Sequence, residues 1–223
     1  MNKIGVLTIG QSPRVDVIPD MKDVLGNEIQ IIEHGILDKF EEEEAINALY
    51  PEENDTVLVS RLRTGKEVKM AEDKVYPLVQ EYISLMESEN IHKILLLCTG
   101  KFPDFKFNGI LIKPFDIVHS VVKSLTNYRK IGLIVPNEDQ ICSSTEFWGE
   151  TGVDVLAKSA SPYDEDTLKL VKVSEKFKDE DVSFIVLDCM GYSVKMKKIV
   201  QERSDKPVIL SRTIVARVIK ELF

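Results

Sequence analysis

An internal repeat limits the folds open to this chain more than any other feature of its sequence. The tripeptide Lys-Ile-Gly occurs at residues 3–5 and again at residues 130–132. Further along each half, an apolar run ends in the pattern Cys-x-Gly, at residues 95–100 and at residues 186–191. Self-similarity of this kind indicates that one structural unit is built twice. We therefore expect two related halves, each of which presents one cysteine after a strand, Cys98 or Cys189.

The two halves differ in length, and the difference points to an insertion. Ninety-five positions separate Lys3 from Cys98, but 59 positions separate Lys130 from Cys189. Much of the excess lies at residues 50–70, where two β-rich runs flank Thr64-Gly65. Such runs on both sides of a glycine-containing turn are typical of a β-hairpin. The sequence therefore predicts a β-hairpin inserted in the first half.

Short β-rich runs alternate with amphipathic helical stretches along the whole chain. The predicted strands cover residues 3–9, 28–33, 56–61, 93–97, 130–135, 153–157, 182–187 and 207–210. This alternation favours βαβ units, and four nearly continuous apolar strands are typical of a sheet that helices cover on both faces. The predicted fold is α/β, with two pseudo-symmetric βαβ halves and mainly parallel sheets. We place the halves at residues 1–112 and 113–210, with the final helix, 211–223, packing on the first half.

Three local signals predict where helices begin. Ser211 precedes apolar residues at helical spacing and is predicted to cap the final helix. Ser161-Pro162 predicts a second helix start, because proline is favoured in the first turn. Pro19 would remove a backbone hydrogen bond inside a helix, so we expect a kink or a late helix start there.

Composition and charge exclude several classes of protein. The chain has 223 residues, of which 43% are hydrophobic, as expected for a globular protein. Twenty-nine basic and 37 acidic residues give a net charge of −8, which disfavours nucleic acid and anionic membranes as partners. The longest apolar runs are far shorter than the ~20 residues of a membrane span, and the N-terminus lacks a signal-peptide pattern. We expect a cytoplasmic protein.

The ligand-forming residues do not predict a metal or a cofactor site. His34, His92 and His119 share no spacing with each other or with acidic pairs. The three cysteines, at 98, 142 and 189, are scattered and are expected to be free thiols. The sequence also lacks the glycine-rich patterns that bind dinucleotides or phosphates. We therefore expect neither a metal nor a cofactor.

Two of the cysteines fall where α/β proteins place their ligands. In open α/β sheets, ligands bind beyond the carboxyl ends of the strands, and Cys98 and Cys189 both follow a predicted strand. A pseudo-two-fold axis between the halves would bring the two thiols to opposite sides of one cleft. The alternative is that each is a small buried hydrophobic residue, which is the expectation for Cys142 in a predicted helix at 138–148. Their matched placement in the repeat favours a functional pair.

Three segments resemble a known family. Residues 4–14, the strand end at 187–191 and residues 207–211 before the final helix resemble the AroM family, over essentially the whole chain. More distantly, the two halves with their cysteines resemble the aspartate/glutamate racemase superfamily, which includes hydantoin racemases, maleate isomerases and arylmalonate decarboxylases. That resemblance implies a racemase-like fold and a cofactor-independent pocket for a small carboxylate, with Cys98 and Cys189 as the catalytic pair. The racemases usually have Asn-Thr or Thr-His after their cysteines, whereas this chain has Thr-Gly and Met-Gly, so the substrate and the reaction stay open.

Paired thiols suit proton transfer next to a carboxylate. A base on one face of the α-carbon and an acid on the other can remove and return a proton without a metal or pyridoxal group. The base must be a thiolate, which helix N-termini or cationic neighbours stabilise. The turns near the strand ends offer backbone N–H groups and arginines, and these groups can also bind a substrate carboxylate. The predicted substrate-binding residues are Gln11, Ser12, Arg14, Thr99, Gly100, Gly191, Tyr192, Ser193, Ser211 and Arg212.

These features support one leading hypothesis and two alternatives. The leading hypothesis is a cofactor-independent enzyme, similar to racemases or isomerases, that acts on a small carboxylate-bearing molecule. The alternatives are a binding protein that lacks the chemistry, and a cysteine-dependent lyase or hydrolase that needs only one thiol. The phenylalanines of residues 99–109 either cover a substrate or pack on their own domain. The oligomeric state is left open, with a homodimer among the alternatives.

Overall fold

The computed structural model describes residues 2–126, 129–164 and 166–223, apart from the side chains of Ala45 and Ile46. Within these ranges the chain forms ten β-strands and eight α-helices. In chain order they are β1 (Lys3–Thr8), α1 (Ile18–Leu25), β2 (Gln30–Gly35), α2 (Glu42–Ala48), β3 (Val57–Arg61), β4 (Glu67–Ala71), α3 (Glu72–Ser88), β5 (Lys93–Leu96), β6 (Ile110–Ile112), α4 (Pro114–Thr126), β7 (Ile131–Val135), α5 (Ile141–Glu150), β8 (Val155–Ser159), α6 (Leu168–Glu175), β9 (Ile185–Leu187), α7 (Val194–Ser204), β10 (Val208–Leu210) and α8 (Ser211–Lys220). The chain divides into two units, the first comprising residues 1–115 and 216–223 and the second residues 116–215.

The first unit contains a four-stranded parallel sheet in the order β2-β1-β5-β6. Its central strand β1 has five consecutive buried residues, at positions 4–8. A parallel strand buried on both faces has this continuous apolar sequence because helices cover the sheet on each side. One apolar cluster, which includes Leu7, Tyr82, Ile94 and Phe102, forms the core of this unit.

The second unit repeats this architecture with a sheet in the order β10-β9-β7-β8, again parallel throughout. Strand β7 takes the place of β1, and β8, β9 and β10 take those of β2, β5 and β6. The register agrees as well, because Gly5 pairs with Ile94 in the first sheet and Gly132 pairs with Ile185 in the second. The prediction of an α/β fold built from two similar halves is confirmed.

The inserted hairpin also forms as expected. Strands β3 and β4 pair antiparallel, from Val57 opposite Ala71 to Arg61 opposite Glu67. The turn closes with a hydrogen bond from the Leu62 amide to the Lys66 carbonyl, 2.8 Å long. The three-residue strand β6 was absent from the predicted strands.

The helix starts match the sequence signals only in part. Helix α1 begins at Ile18 with Pro19 in its first turn, which confirms a late start. Helix α6 begins at Leu168, so the predicted start at Ser161 is wrong: the Ser161 hydroxyl instead accepts a hydrogen bond from the Tyr163 amide and forms a local turn. Helix α8 begins at Ser211 itself, and this hydroxyl donates to the Leu187 carbonyl rather than capping the helix.

The described residues include neither a membrane-spanning helix nor a cluster of metal-binding side chains. No helix in these ranges is both long enough and apolar enough to cross a bilayer. Within the same ranges, no three residues among His, Cys, Asp and Glu are grouped as ligands for a metal ion.

Candidate functional site

The two Cys-x-Gly segments make the same contact between a glycine amide and a sulfur at equivalent strand ends. Cys98 lies two residues after β5 and Cys189 two residues after β9. The Gly100 amide faces the Cys98 sulfur at 3.3 Å, and the Gly191 amide faces the Cys189 sulfur at the same distance. An N–H group that points at sulfur stabilises negative charge on it. Each unit therefore supplies one thiol with a built-in donor for its thiolate form.

The residues just before the two cysteines make equivalent backbone hydrogen bonds to the central strand of their sheet. The Leu97 amide donates to the Leu7 carbonyl at 2.7 Å, and the Asp188 amide donates to the Ile134 carbonyl at 3.0 Å. Their side chains differ, because Leu97 is an apolar core residue whereas the Asp188 carboxylate accepts a hydrogen bond from the Trp148 indole at 2.9 Å. The repeat therefore holds at the level of the backbone.

Cys98 is half-buried and lies close enough to Tyr76 on α3 for its charge to act on that phenol. Burial, the hydrogen bond and charge of Glu72, and the charge of Cys98 together raise the pKa of Tyr76 well above its usual range. The Tyr76 hydroxyl also lies 3.1 Å from the Lys101 carbonyl, to which it donates. Burial raises the pKa of the Glu72 carboxyl, with a smaller contribution from Asp73, although Tyr76 and Lys101 act in the opposite direction.

The phenylalanines of the loop after Cys98 pack on their own unit. Phe102 is buried in the first core, and Phe105 and Phe107 pack against that core. The Tyr76 ring meets the rings of Phe102 and Phe105 edge-on, with centroids 5.7 and 6.3 Å apart. These contacts favour packing over the alternative of a cover for substrate.

Cys189 is more enclosed, with 8% of its surface exposed. The Tyr163 hydroxyl lies 3.8 Å from its sulfur, within hydrogen-bond range for sulfur. Behind the strand end, Trp148 stacks on His119 with ring centroids 3.6 Å apart and planes inclined by 19°. Neither Tyr163 nor His119 was among the residues predicted for the site.

Four residues predicted to bind substrate build the Cys189 turn and its neighbours. Arg212 is fully buried, and its Nε and Nη2 atoms donate to the carbonyls of Met190 and Gly191 at 2.9 and 2.8 Å. Tyr192 is fully buried and donates to the Ala160 carbonyl at 2.6 Å. Ser193 caps α7 through the Met196 amide, and the Ser211 hydroxyl holds Leu187. Their direct contact with substrate stays a prediction, which these hydrogen bonds do not favour.

The loop after β1 carries three further predicted residues, and two of them tie it to other loops. The Gln11 amide group donates to the Leu37 and Phe40 carbonyls and accepts from the Arg63 amide. Ser12 donates to the Asp38 carboxylate twice, from its amide at 2.7 Å and from its hydroxyl at 2.6 Å. The chain's own carboxylate thus takes the donors that were expected to bind an anion.

Arg14, the third, is buried in an ion pair. Its Nε and Nη2 atoms donate to both oxygens of Asp16, at 2.9 and 2.8 Å. Burial opposes ionisation of Asp16, but the hydrogen bond and charge of Arg14, with the charge of Arg61, hold the pKa of that carboxyl below its usual value. The Arg14 amide donates to Glu33 at 2.7 Å. These contacts favour a structural role for Arg14.

Comparison with protein families identifies the lineage of the chain. A family model described as AroM protein matches residues 4–223. The chain belongs to the AroM family. No curated protein is similar enough in sequence to be counted as a relative.

Solved structures share the fold of this AroM family member at low sequence identity. Glutamate racemase from Aquifex pyrophilus matches with a TM-score of 0.61 and 15% identity, over 99% of this chain and 84% of that one. Arylmalonate decarboxylase matches with a TM-score of 0.62 and 15% identity, over 99% and 91%. Maleate isomerase from Pseudomonas putida matches with a TM-score of 0.64 and 9% identity, over 99% and 92%. The racemase-like fold is therefore established.

The repeat in this AroM protein predicts the two cysteines as site residues, but it does not predict the side chains that lie near them. Tyr163 precedes Cys189 by 26 positions, and Glu72 and Tyr76 precede Cys98 by more than 20. No local motif connects such distant positions. The only sequence signal was the glycine of each Cys-x-Gly pattern, which marks a place where another group approaches the backbone closely.

Proposed function

We propose that this protein is a cofactor-independent enzyme that moves a proton next to the carboxylate of a small molecule, with Cys98 and Cys189 as its acid–base pair. One observation carries the proposal: both thiols follow equivalent strands, each with a glycine amide 3.3 Å from its sulfur. A cysteine that only fills space needs no such donor. Finding the donor in both repeats argues for one shared chemical role.

The proposed reaction uses each thiol in a different protonation state. One thiolate takes the α-proton and becomes a thiol, and the electron pair of the broken C–H bond moves into an enediolate of the carboxylate. The other thiol gives its proton to the opposite face of the carbon and becomes a thiolate. The product has the opposite configuration, and the two sulfurs have exchanged roles.

The proposed substrate class is a small carboxylate. Glutamate, arylmalonate and maleate, which the names of three proteins of this fold contain, all carry carboxylate groups. We assign binding of the carboxylate to Thr99, Gly100 and Gly191, because each lies within two residues of a cysteine.

Deuterium exchange tests the proposal directly. A panel of chiral α-substituted carboxylates is incubated with the protein in D2O, and label at the α-carbon is followed by NMR and mass spectrometry. The wild-type protein should label and racemise at least one of them. Replacing either Cys98 or Cys189 by Ser should lower racemisation by about 10²–10⁴-fold, because a serine hydroxyl is a poor base near neutral pH.

Single-thiol variants and a matched control separate the alternatives. Each variant should still exchange the proton of one enantiomer only, from the face that its remaining thiol reaches. Cys142→Ser is the control, because Cys142 is exposed and has no counterpart in the repeat. Turnover that survives loss of one thiol favours the lyase or hydrolase. Binding of carboxylates without any exchange favours a binding protein.

A further inference from the structure

The surroundings of Cys189 contain a group that the repeat does not predict. The Tyr163 hydroxyl lies 3.8 Å from the Cys189 sulfur, and either atom can be the donor. Both residues belong to the second unit, so the contact lies within one compact unit of the chain. Tyr163 is half-buried, and Cys189 is buried.

The loop that carries Tyr163 is built to hold it there. Strand β8 ends at Ser159, and the Ser161 hydroxyl then accepts a hydrogen bond from the Tyr163 amide at 3.1 Å. This local turn replaces the helix that Ser161-Pro162 would otherwise begin. Pro162 between them is buried. The backbone of the loop is therefore held on the N-terminal side of the tyrosine.

Gly191 leaves the space that the phenol occupies. A methyl group added at Gly191 would lie 2.6 Å from the Tyr163 hydroxyl oxygen and 2.9 Å from the Pro162 ring. Both distances are shorter than real contacts of a side-chain carbon, so any larger residue would push the tyrosine away from Cys189. At Gly100, the equivalent methyl group would instead meet Leu58 at 2.7 Å. Gly191 thus leaves room for a phenol, whereas Gly100 leaves room for an aliphatic core residue.

We propose that Tyr163 is a positioning residue for the Cys189 thiol, which it holds by a phenol–sulfur hydrogen bond that only Gly191 permits. This inference rests on the proposed function and adds an asymmetry to it. A phenol can donate to a thiolate and accept from a thiol, so Tyr163 can serve Cys189 in both protonation states. The corresponding phenol near Cys98, Tyr76, is instead engaged by Glu72 and the Lys101 carbonyl.

Alkylation of single-thiol proteins tests this without relying on turnover. The full chain with Cys98→Ser and Cys142→Ser retains only Cys189, and the chain with Cys189→Ser and Cys142→Ser retains only Cys98. The rate of alkylation by iodoacetamide is measured against pH, because only the thiolate reacts. Tyr163→Phe should raise the pH midpoint for Cys189 by about one unit, a tenfold loss of thiolate, and leave that for Cys98 unchanged. A change in access alone alters the rate but not the midpoint.

A second variant reaches the same contact from the other side. Gly191→Ala should shift the Cys189 midpoint in the same direction as Tyr163→Phe, because the added methyl group would displace the phenol. An unchanged Cys189 midpoint in both Tyr163→Phe and Gly191→Ala, with circular dichroism showing intact folds, overturns the inference. So does an equal shift of the two thiols in Tyr163→Phe.

The outcome is separable from that of the proposed function. A shifted Cys189 midpoint in a protein that exchanges no carboxylate upholds the contact and overturns the acid–base role. Exchange that Tyr163→Phe leaves unchanged in kcat, KM and pH profile upholds the acid–base role and overturns the positioning role.

Discussion

Cys98 and Cys189 follow equivalent strands in equivalent turns, but different side chains surround them. Cys98 lies near the phenol of Tyr76, which the partly exposed carboxylate of Glu72 engages. Around Cys189 are the Tyr163 phenol and a turn whose carbonyls the fully buried Arg212 holds. The backbone of the repeat provides the donor for each sulfur, whereas the side chains determine how exposed each thiol is and which charges lie near it.

The largest expected difference concerns how much the side chain that holds each loop contributes to the free energy of unfolding. Arg212→Met leaves the Met190 and Gly191 carbonyls without their buried donor and should lower the free energy of unfolding by about 3 kcal/mol. Lys113→Met is the matched change in the first unit, where Lys113 ties the segment after β6 to the fully exposed Asp104 in the loop after Cys98. That loss should stay below about 1 kcal/mol. Urea unfolding of both variants measures the difference, and equal losses would contradict it.

The next largest effect concerns access to the two sulfurs. Cys98 is half-buried, whereas Cys189 is 8% exposed beneath Tyr163. In the Cys142→Ser protein at neutral pH, iodoacetamide should therefore modify Cys98 about tenfold faster than Cys189. Peptide mass spectrometry over time gives both rates from one sample. Faster modification of Cys189 would show that side chains around the second turn open more readily than this packing indicates.

The smallest effect concerns the carboxylate on α3. Burial raises the pKa of Glu72 in the folded protein. The stability that this carboxyl contributes is therefore fully present below its unfolded-state pKa, and it is lost as the pH rises through its folded-state pKa. Glu72→Gln should therefore stabilise the protein by roughly 0.5 kcal/mol at pH 7, a value kept small by solvent screening, and by nothing below about pH 4. The exposed neighbour Asp73 provides the control variant, Asp73→Asn. A gain that persists at low pH would assign the effect to something other than ionisation.

Much of the fold could be predicted because its signals are local. Apolar runs marked β1, β5, β7 and β9, a glycine-containing turn marked the hairpin, and the repeated tripeptide marked the two halves. Strand β6 has only three residues, too few for a periodic pattern to stand out. The helix start predicted at Ser161-Pro162 is wrong for a physical reason. A serine hydroxyl that accepts a hydrogen bond from the amide two residues later can form a local turn as readily as it can cap a helix.

The site could be predicted only where its residues are neighbours in sequence. Cys98 and Cys189 were visible because the repeat carries them, together with their glycines. The roles of Ser12 and Arg212 depend on Asp38 and on the carbonyls of residues 190 and 191, which folding brings to them from more than 20 positions away. A polar residue near a strand end looks the same in sequence whether a ligand or the protein itself uses its hydrogen bonds.

The donor that faces each sulfur belongs to the main chain, and this has a consequence for how the turn tolerates variation. Substitution of a side chain cannot delete a peptide N–H, with proline as the exception. The middle residue of the turn is therefore free to differ in size and polarity, as Thr99 and Met190 do. An amide-to-ester replacement at residue 100 or 191 by chemical ligation would remove one N–H while keeping every side chain, and so isolate what a single peptide hydrogen contributes to the nucleophilicity of its sulfur.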